Sequence, residues 1–192
     1  MINDQAQRLR DVINKNKEEK TDKEPKIICI SSGKGGVGKS NFTTNTALEL
    51  IKRGKKVIII DADLGLANVE ILLGVVSKKN FSDLINSGAN IKDIITVTNN
   101  GIGLISGGSG ILELADLSND KLELVLDSIS QLNDMADYIL IDTGAGISNV
   151  VTAFAKLAHE VVVITTCEPT SVADAYALIK SLVIKDRDKD IS

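Results

Sequence analysis

From residue 26 onward the chain alternates short, unbroken apolar runs with longer segments of helical period. Ile27-Ile28-Cys29-Ile30 is apolar at every position, as a strand must be when both faces of a parallel sheet are covered. Val57-Ile58-Ile59-Ile60 repeats the pattern and runs into Asp61-Ala62-Asp63. Further strands are expected at 103–106, 138–141 and 161–165. Helices are expected over about 39–53, stopped by Gly54, and over 67–73, closed by Gly74, with glycine at each stop supplying the left-handed turn. Three more are expected at 118–132, 148–157 and 171–184. Such alternation predicts an α/β fold of three layers, α/β/α, around a mostly parallel sheet. Its crossovers should be right-handed, which gathers chemistry at the carboxyl ends of the strands.

Residues 1–25 break this pattern. Ile2, Ala6, Leu9 and Ile13 share one face of a short amphipathic helix that Asn3 or Asp4 can cap, with Val12 beside them. A Lys/Glu/Asp-rich stretch without apolar period follows, the composition of a solvated linker. Two parts are therefore expected, an N-terminal helix with its linker (1–25) and an α/β domain (26–192).

The chain's 192 residues suffice for one such domain with a sizeable core. A net charge of −4 gives no global basic field and argues against nucleic acid as a partner. The N-terminus lacks a signal peptide's basic start and apolar stretch, and the apolar runs are far too short to span a bilayer, so a cytoplasmic protein is expected. Cys29 and Cys167 lie far apart without metal-ligand spacing, and Cys29 reads as a buried free thiol. The single histidine, His159, has no partner pattern.

The candidate chemistry begins at Gly33-Lys34-Gly35-Gly36-Val37-Gly38-Lys39-Ser40, followed by Asn41. It fits G-x-x-x-x-G-K-[ST] in the required context, after a strand and before a helix. The glycines let the loop curl around a phosphate, and the loop's N–H groups and the helix N-terminus then face the anion. Lys39 is expected to reach the β- and γ-phosphates of ATP and the Ser40 hydroxyl to ligate Mg²⁺. Asp61 and Asp63 share a face at the end of the second strand, beside the phosphate end of the loop, or else form a solvated turn. Asp142 ends the run Tyr138-Ile139-Leu140-Ile141 at the same edge. Lys34, taken alone, is either a solvated charge or a second cation for the site.

The segment Lys34-Gly35-Gly36-Val37-Gly38-Lys39-Ser40 resembles the deviant Walker A loop of the MinD/ParA family of P-loop ATPases. The resemblance implies that Lys34 crosses to the partner subunit's nucleotide in an ATP-bound homodimer, where it would act as an arginine finger does. It further implies that Asp63 orients the attacking water and contacts the Mg²⁺ shell. Asp142 resembles the Walker B aspartate, held to Mg²⁺ through water, and Thr143-Gly144-Ala145-Gly146 resembles the family's second switch.

Other segments resemble the branch of flagellar-number regulators called FlhG, FleN or YlxH. Asp61-Ala62-Asp63-Leu64-Gly65-Leu66-Ala67-Asn68-Val69 is similar to its first switch, Gly107-Gly108-Ser109-Gly110-Ile111 to its glycine–serine turn, and Glu168-Pro169-Thr170-Ser171 to its late strand-to-helix passage. Asp4, Gln5, Ala6, Leu9 and Arg10 match the N-terminal element through which that branch stimulates the GTPase FlhF. Cys167 and Ser106 stand where proline is usual, and Glu70 where aspartate is. The family continues past the position of Ser192 through further strands, an adenine-contacting segment and an amphipathic membrane helix, so a domain incomplete at its C-terminus is expected. The full-length family form would be membrane-associated. The implied function is a slow, Mg²⁺-dependent ATPase switch for flagellar number or placement. A ParA-type DNA-partitioning ATPase and a non-catalytic interaction module are the alternatives.

Overall fold

The computed structural model describes residues 24–63, 67–108, 118–186 and 189–192. Strands β1 (Lys26–Ser32), β2 (Val57–Ala62), β3 (Thr96–Val97), β4 (Gly103–Ile105), β5 (Tyr138–Ala145), β6 (Glu160–Val163) and β7 (Asp190–Ile191) form one sheet in the order β3-β4-β2-β5-β1-β6-β7. All the pairings are parallel except β3 with β4. The helices are α1 (Lys39–Lys52), α2 (Asn68–Leu73), α3 (Phe81–Ser87), α4 (Asn119–Ile129), α5 (Asn149–Leu157) and α6 (Pro169–Lys185), with 3-10 turns at Ile91–Ile94 and Ser130–Leu132. Among the described residues, no helix is long and apolar enough to cross a membrane.

The unbroken apolar runs follow from a sheet covered on both faces. Ile27 and Cys29 of β1, Ile58 and Ile60 of β2, and Ile139 and Ile141 of β5 face one core, which Phe81, Val125, Val151, Phe154, Leu178 and Leu182 complete from the helices. The intervening Ile30, Ile59 and Leu140 face the other core, with Ala47 of α1 and Val69 of α2. Cys29 is buried as a free thiol. His159 also has a structural place: its backbone N–H donates to the Ile27 carbonyl (2.9 Å), and its Nδ1 accepts from the Ile27 N–H (3.0 Å).

Four elements were not anticipated. Strands β3 and β7 are two residues each, too short for any period to show. Helix α3 carries a full capping box, in which Asn80 accepts from the Ser82 N–H while Asp83 accepts from the Asn80 N–H, and Gly88 stops it. The 3-10 turn at Ile91–Ile94 likewise starts on a side-chain cap, Asn90. The predicted N-terminal helix, the middle of the first switch (64–66) and most of the glycine–serine turn (109–111) lie outside the described residues.

Candidate phosphate-binding site

Register builds the site. In β5, Asp142 is paired with Ile30 of β1 on one side and with Asp61 of β2 on the other. The central strand thus delivers one carboxylate beneath the loop that leaves β1, with a second carboxylate beside it. The loop itself runs from Gly33 to Gly38, where Gly36 (φ 76°) and Gly38 (φ 100°) take the left-handed backbone that only glycine adopts freely. No side chain caps α1. Its first N–H groups are therefore available to an anion, as the sequence pattern requires.

A cavity of about 410 Å³ opens over this loop. Gly35, Gly36, Gly38, Lys39, Ser40 and Asn41 line it from one side, and Asp63, Asn68, Ile71, Leu72 and Ala145 from the other. Lys39 is buried, at 7% exposure. Its ammonium charge works to lower both the Asp63 and the Asp142 carboxyls, yet burial outweighs it and both stay above the ordinary aspartate range. Gly144, two residues beyond Asp142 in β5, lies so close to Asp63 that a Cβ there would sit 3.3 Å from Asp63 Oδ1. The two switch segments touch at that point.

Asp142 is fully buried. Its Oδ1 accepts from the Thr43 hydroxyl at 3.3 Å; burial raises the carboxyl, and the neighbouring Ser40 hydroxyl opposes that. Its Oδ2 is buried without a hydrogen-bond partner. An orphaned, charged oxygen beside a serine hydroxyl, with Asp63 lining the cavity above, is a set of hard oxygen donors suited to Mg²⁺ and its waters. The residues present therefore fit that ion.

Asp61 differs from its expected place. Strand β2 ends at Ala62, so the alternation that would put Asp61 and Asp63 on one exposed face does not extend that far. Asp61 is 1% exposed, and its carboxyl accepts from the Asp63 N–H (3.2 Å) and the Val69 N–H (3.3 Å). It is an inward clasp that ties both described ends of the first switch to the sheet. Burial, and then the neighbouring Asp142, push its carboxyl up to about 7, against those two N–H donors.

Lys34 stands apart from Lys39. Its Nζ donates to Glu168 Oε2 (2.5 Å) and to Thr170 Oγ1 (3.2 Å), at the start of α6. The hydrogen bond from Lys34 holds the Glu168 carboxyl below its ordinary range. The loop also meets α6 at Gly33, where a Cβ would run into the backbone of Asp174 and Ala175. Gly33 and Val37 do not line the cavity. Asp4, Gln5, Ala6, Leu9 and Arg10 lie outside the described residues. Sequence reasoning missed Thr43, Asp61 as a clasp, and Glu168 and Thr170 as the partners of Lys34. Asp61, Glu168 and Thr170 lay in segments already singled out, and Thr43 did not.

The family described as ParA, "NUBPL iron-transfer P-loop NTPase", matches residues 23–185. The chain is 39% identical over 156 residues to the antiactivator FleN of Pseudomonas aeruginosa, covering 81% of this chain and 56% of FleN. It is 41% identical over 193 aligned residues to the flagellum site-determining protein YlxH of Helicobacter pylori, covering 98% of this chain and 64% of YlxH. The chain thus spans 56% and 64% of the length of these two relatives. The fold superimposes on the septum site-determining protein MinD complexed with Mg-ADP from Pyrococcus horikoshii, with a TM-score of 0.75 and 28% identity, over 87% of this chain and 68% of that one. With its glycine loop, buried lysine and paired strand-end aspartates, the chain belongs to the ParA/MinD family of P-loop NTPases.

Proposed function

We propose that this chain is the nucleotide-binding part of a Mg²⁺-dependent ATPase switch that pairs with a second copy on ATP and sets flagellar number or placement. The unpartnered Oδ2 of Asp142, buried beside Ser40 and Lys39, carries the site reading. The names of FleN and YlxH carry the biological one. In this reading Lys39 neutralises the β- and γ-phosphates, while the N–H groups of Gly35, Gly36 and Gly38 line their cradle. Bound Mg²⁺ would supply charge neutralisation on the same oxygens. Ser40 and Asp142 would hold it, and Asp63 orients the water that attacks the γ-phosphorus as its bond to the bridging oxygen breaks, releasing ADP and inorganic phosphate. Lys34 leaves Glu168 and reaches the partner subunit's phosphates.

The test is a comparison of Asp63→Ala with the parent chain. ATP should stay bound while turnover falls by about 10²-fold, the scale of losing a positioned water-orienting group. With ATP the variant should run as a dimer in light scattering, and Lys34→Ala should return it to monomer. Equal loss of binding and turnover would reduce Asp63 to a metal anchor, and a monomer under every nucleotide condition would remove the pairing. The N-terminal residues Asp4, Gln5, Ala6, Leu9 and Arg10 are assigned to the GTPase FlhF on sequence alone. A peptide of residues 1–20 that leaves that enzyme's GTP turnover unchanged would withdraw the assignment.

A further inference from the structure

Thr43 lies one turn into α1, fully buried, between the helix backbone and β5. Its hydroxyl has a single proton and two acceptors in reach, the Lys39 carbonyl at 3.0 Å and Asp142 Oδ1 at 3.3 Å. The first contact is the ordinary back-bond of a threonine to the carbonyl four residues earlier, which Thr44 also makes to Ser40 O at 2.8 Å. The other acceptor in reach of Thr44 is the Asn41 carbonyl at 3.1 Å; Thr43 instead meets Asp142, the one buried carboxylate among the described residues with an oxygen left without a partner. An ionised carboxylate is the stronger acceptor, so charge on Asp142 draws the shared proton toward it.

We infer that Thr43 is a positioning residue for the magnesium centre, holding Asp142 through Oδ1 so that Oδ2 stays free for the ion's water shell. The inference rests on the nucleotide-site reading above. Thr43 is hydrogen-bonded to Asp142, and the Ser40 hydroxyl is the carboxylate's neighbour. When the Ser40 hydroxyl turns to the metal, Thr43 remains the side chain that fixes the carboxylate. Such outer-shell partners orient a ligand that would otherwise sample rotamers the metal cannot use.

The experiment measures ADP affinity by calorimetry in EDTA and across a Mg²⁺ titration, in the parent chain and in Thr43→Val, Thr43→Ser and Thr44→Val. In Thr43→Val, Mg²⁺ affinity in the presence of ADP should fall by about 10-fold or more, the usual scale for an outer-shell partner. Its affinity for ADP in EDTA should stay at the parent value. Thr43→Ser, which keeps the hydroxyl, should restore the Mg²⁺ affinity, and Thr44→Val should match the parent throughout. If Thr43→Val does not fold, Thr43→Ala takes its place under the same criteria. Unchanged Mg²⁺ affinity in Thr43→Val overturns the inference, as does an equal fall in EDTA, an equal loss in Thr43→Ser, or an equal loss in Thr44→Val. A parent chain that binds ADP with no Mg²⁺ dependence overturns the site reading as well, and is told apart because it needs no variant to see.

Discussion

Lys34 and Lys39 belong to one loop of the chain and live in different electrostatic worlds. Lys39 is buried at the head of α1, among Asp63 and Asp142 and one turn from Thr43. Lys34 sits on the outer side of the loop with its side chain 39% exposed, paired to a Glu168 side chain that is 64% exposed. A buried cation among carboxylates has few alternative positions, because leaving it means desolvated charges without compensation. An exposed pair is screened by water and salt and is readily exchanged for another partner. The loop therefore joins a fixed charge to a movable one, and Gly33 marks where the movable end bears on α6.

The largest effect that tests this contrast is on Lys39. Lys39→Ala removes the cation that opposes the raised Asp63 and Asp142 carboxyls and leaves both acids without it. Nucleotide affinity should fall by about 10²-fold, as when a buried charge-assisted contact to phosphate is lost. The same calorimetry on Lys34→Ala should show a much smaller change for the monomer. Equal losses in the two variants would erase the distinction between them.

A smaller effect, and one with a sign to check, concerns Asp61. Its carboxyl is raised to about 7 in the folded chain, well above the ordinary aspartate value of about 3.9. The folded state thus holds a proton that the unfolded state gives up, so this contribution is fully present below about pH 4 and is lost as pH rises through 7. Asp63 and Asp142, also raised, act in the same direction. The nucleotide-free chain should therefore lose stability between about pH 4 and pH 7, by a few kcal/mol at most from Asp61. Asp61→Asn should flatten that slope, because the amide does not titrate, while keeping only one of the two N–H donors. A midpoint for Asp61→Asn that follows pH as steeply as the parent's would mean the clasp is not what titrates.

The same contrast explains what could be read from the sequence. Strands β1, β2 and β5 were legible because being buried on both faces forces unbroken apolar runs, and the glycine loop was legible because its backbone needs glycine at fixed spacing. Helix α3 left a readable signal in Asn80, Asp83 and Gly88, but its seven residues carry too little apolar period to stand out. Thr43 was not legible as a site residue, nor Asp61 as a clasp. Their roles depend on the register that sets β5 between β1 and β2 and brings Asp142 to both of them. The partners of Lys34 are more than 130 residues away in sequence, and no local pattern encodes that meeting. Local chemistry shows in local sequence, whereas the joints between segments are products of packing.

The smallest expected effect is on the movable lysine itself. Glu168→Gln keeps the shape of the side chain and removes the charge that holds Lys34, while Thr170 can still accept from it. Because the Glu168 side chain is largely exposed, the urea midpoint of the nucleotide-free chain should not move measurably, in low salt or high. What should move is the availability of the amine. Reductive methylation in low salt should modify Lys34 faster in Glu168→Gln than in the parent, and added salt should bring the parent toward the variant's rate by screening the pair. Lys39, buried and set among the aspartates, should remain slow in both proteins and at both salt concentrations. A Lys34 rate that ignores both Glu168 and salt would show that the pair does not hold the side chain in solution. The two lysines would then differ in burial alone, and the picture of a tethered, releasable charge would have to be given up.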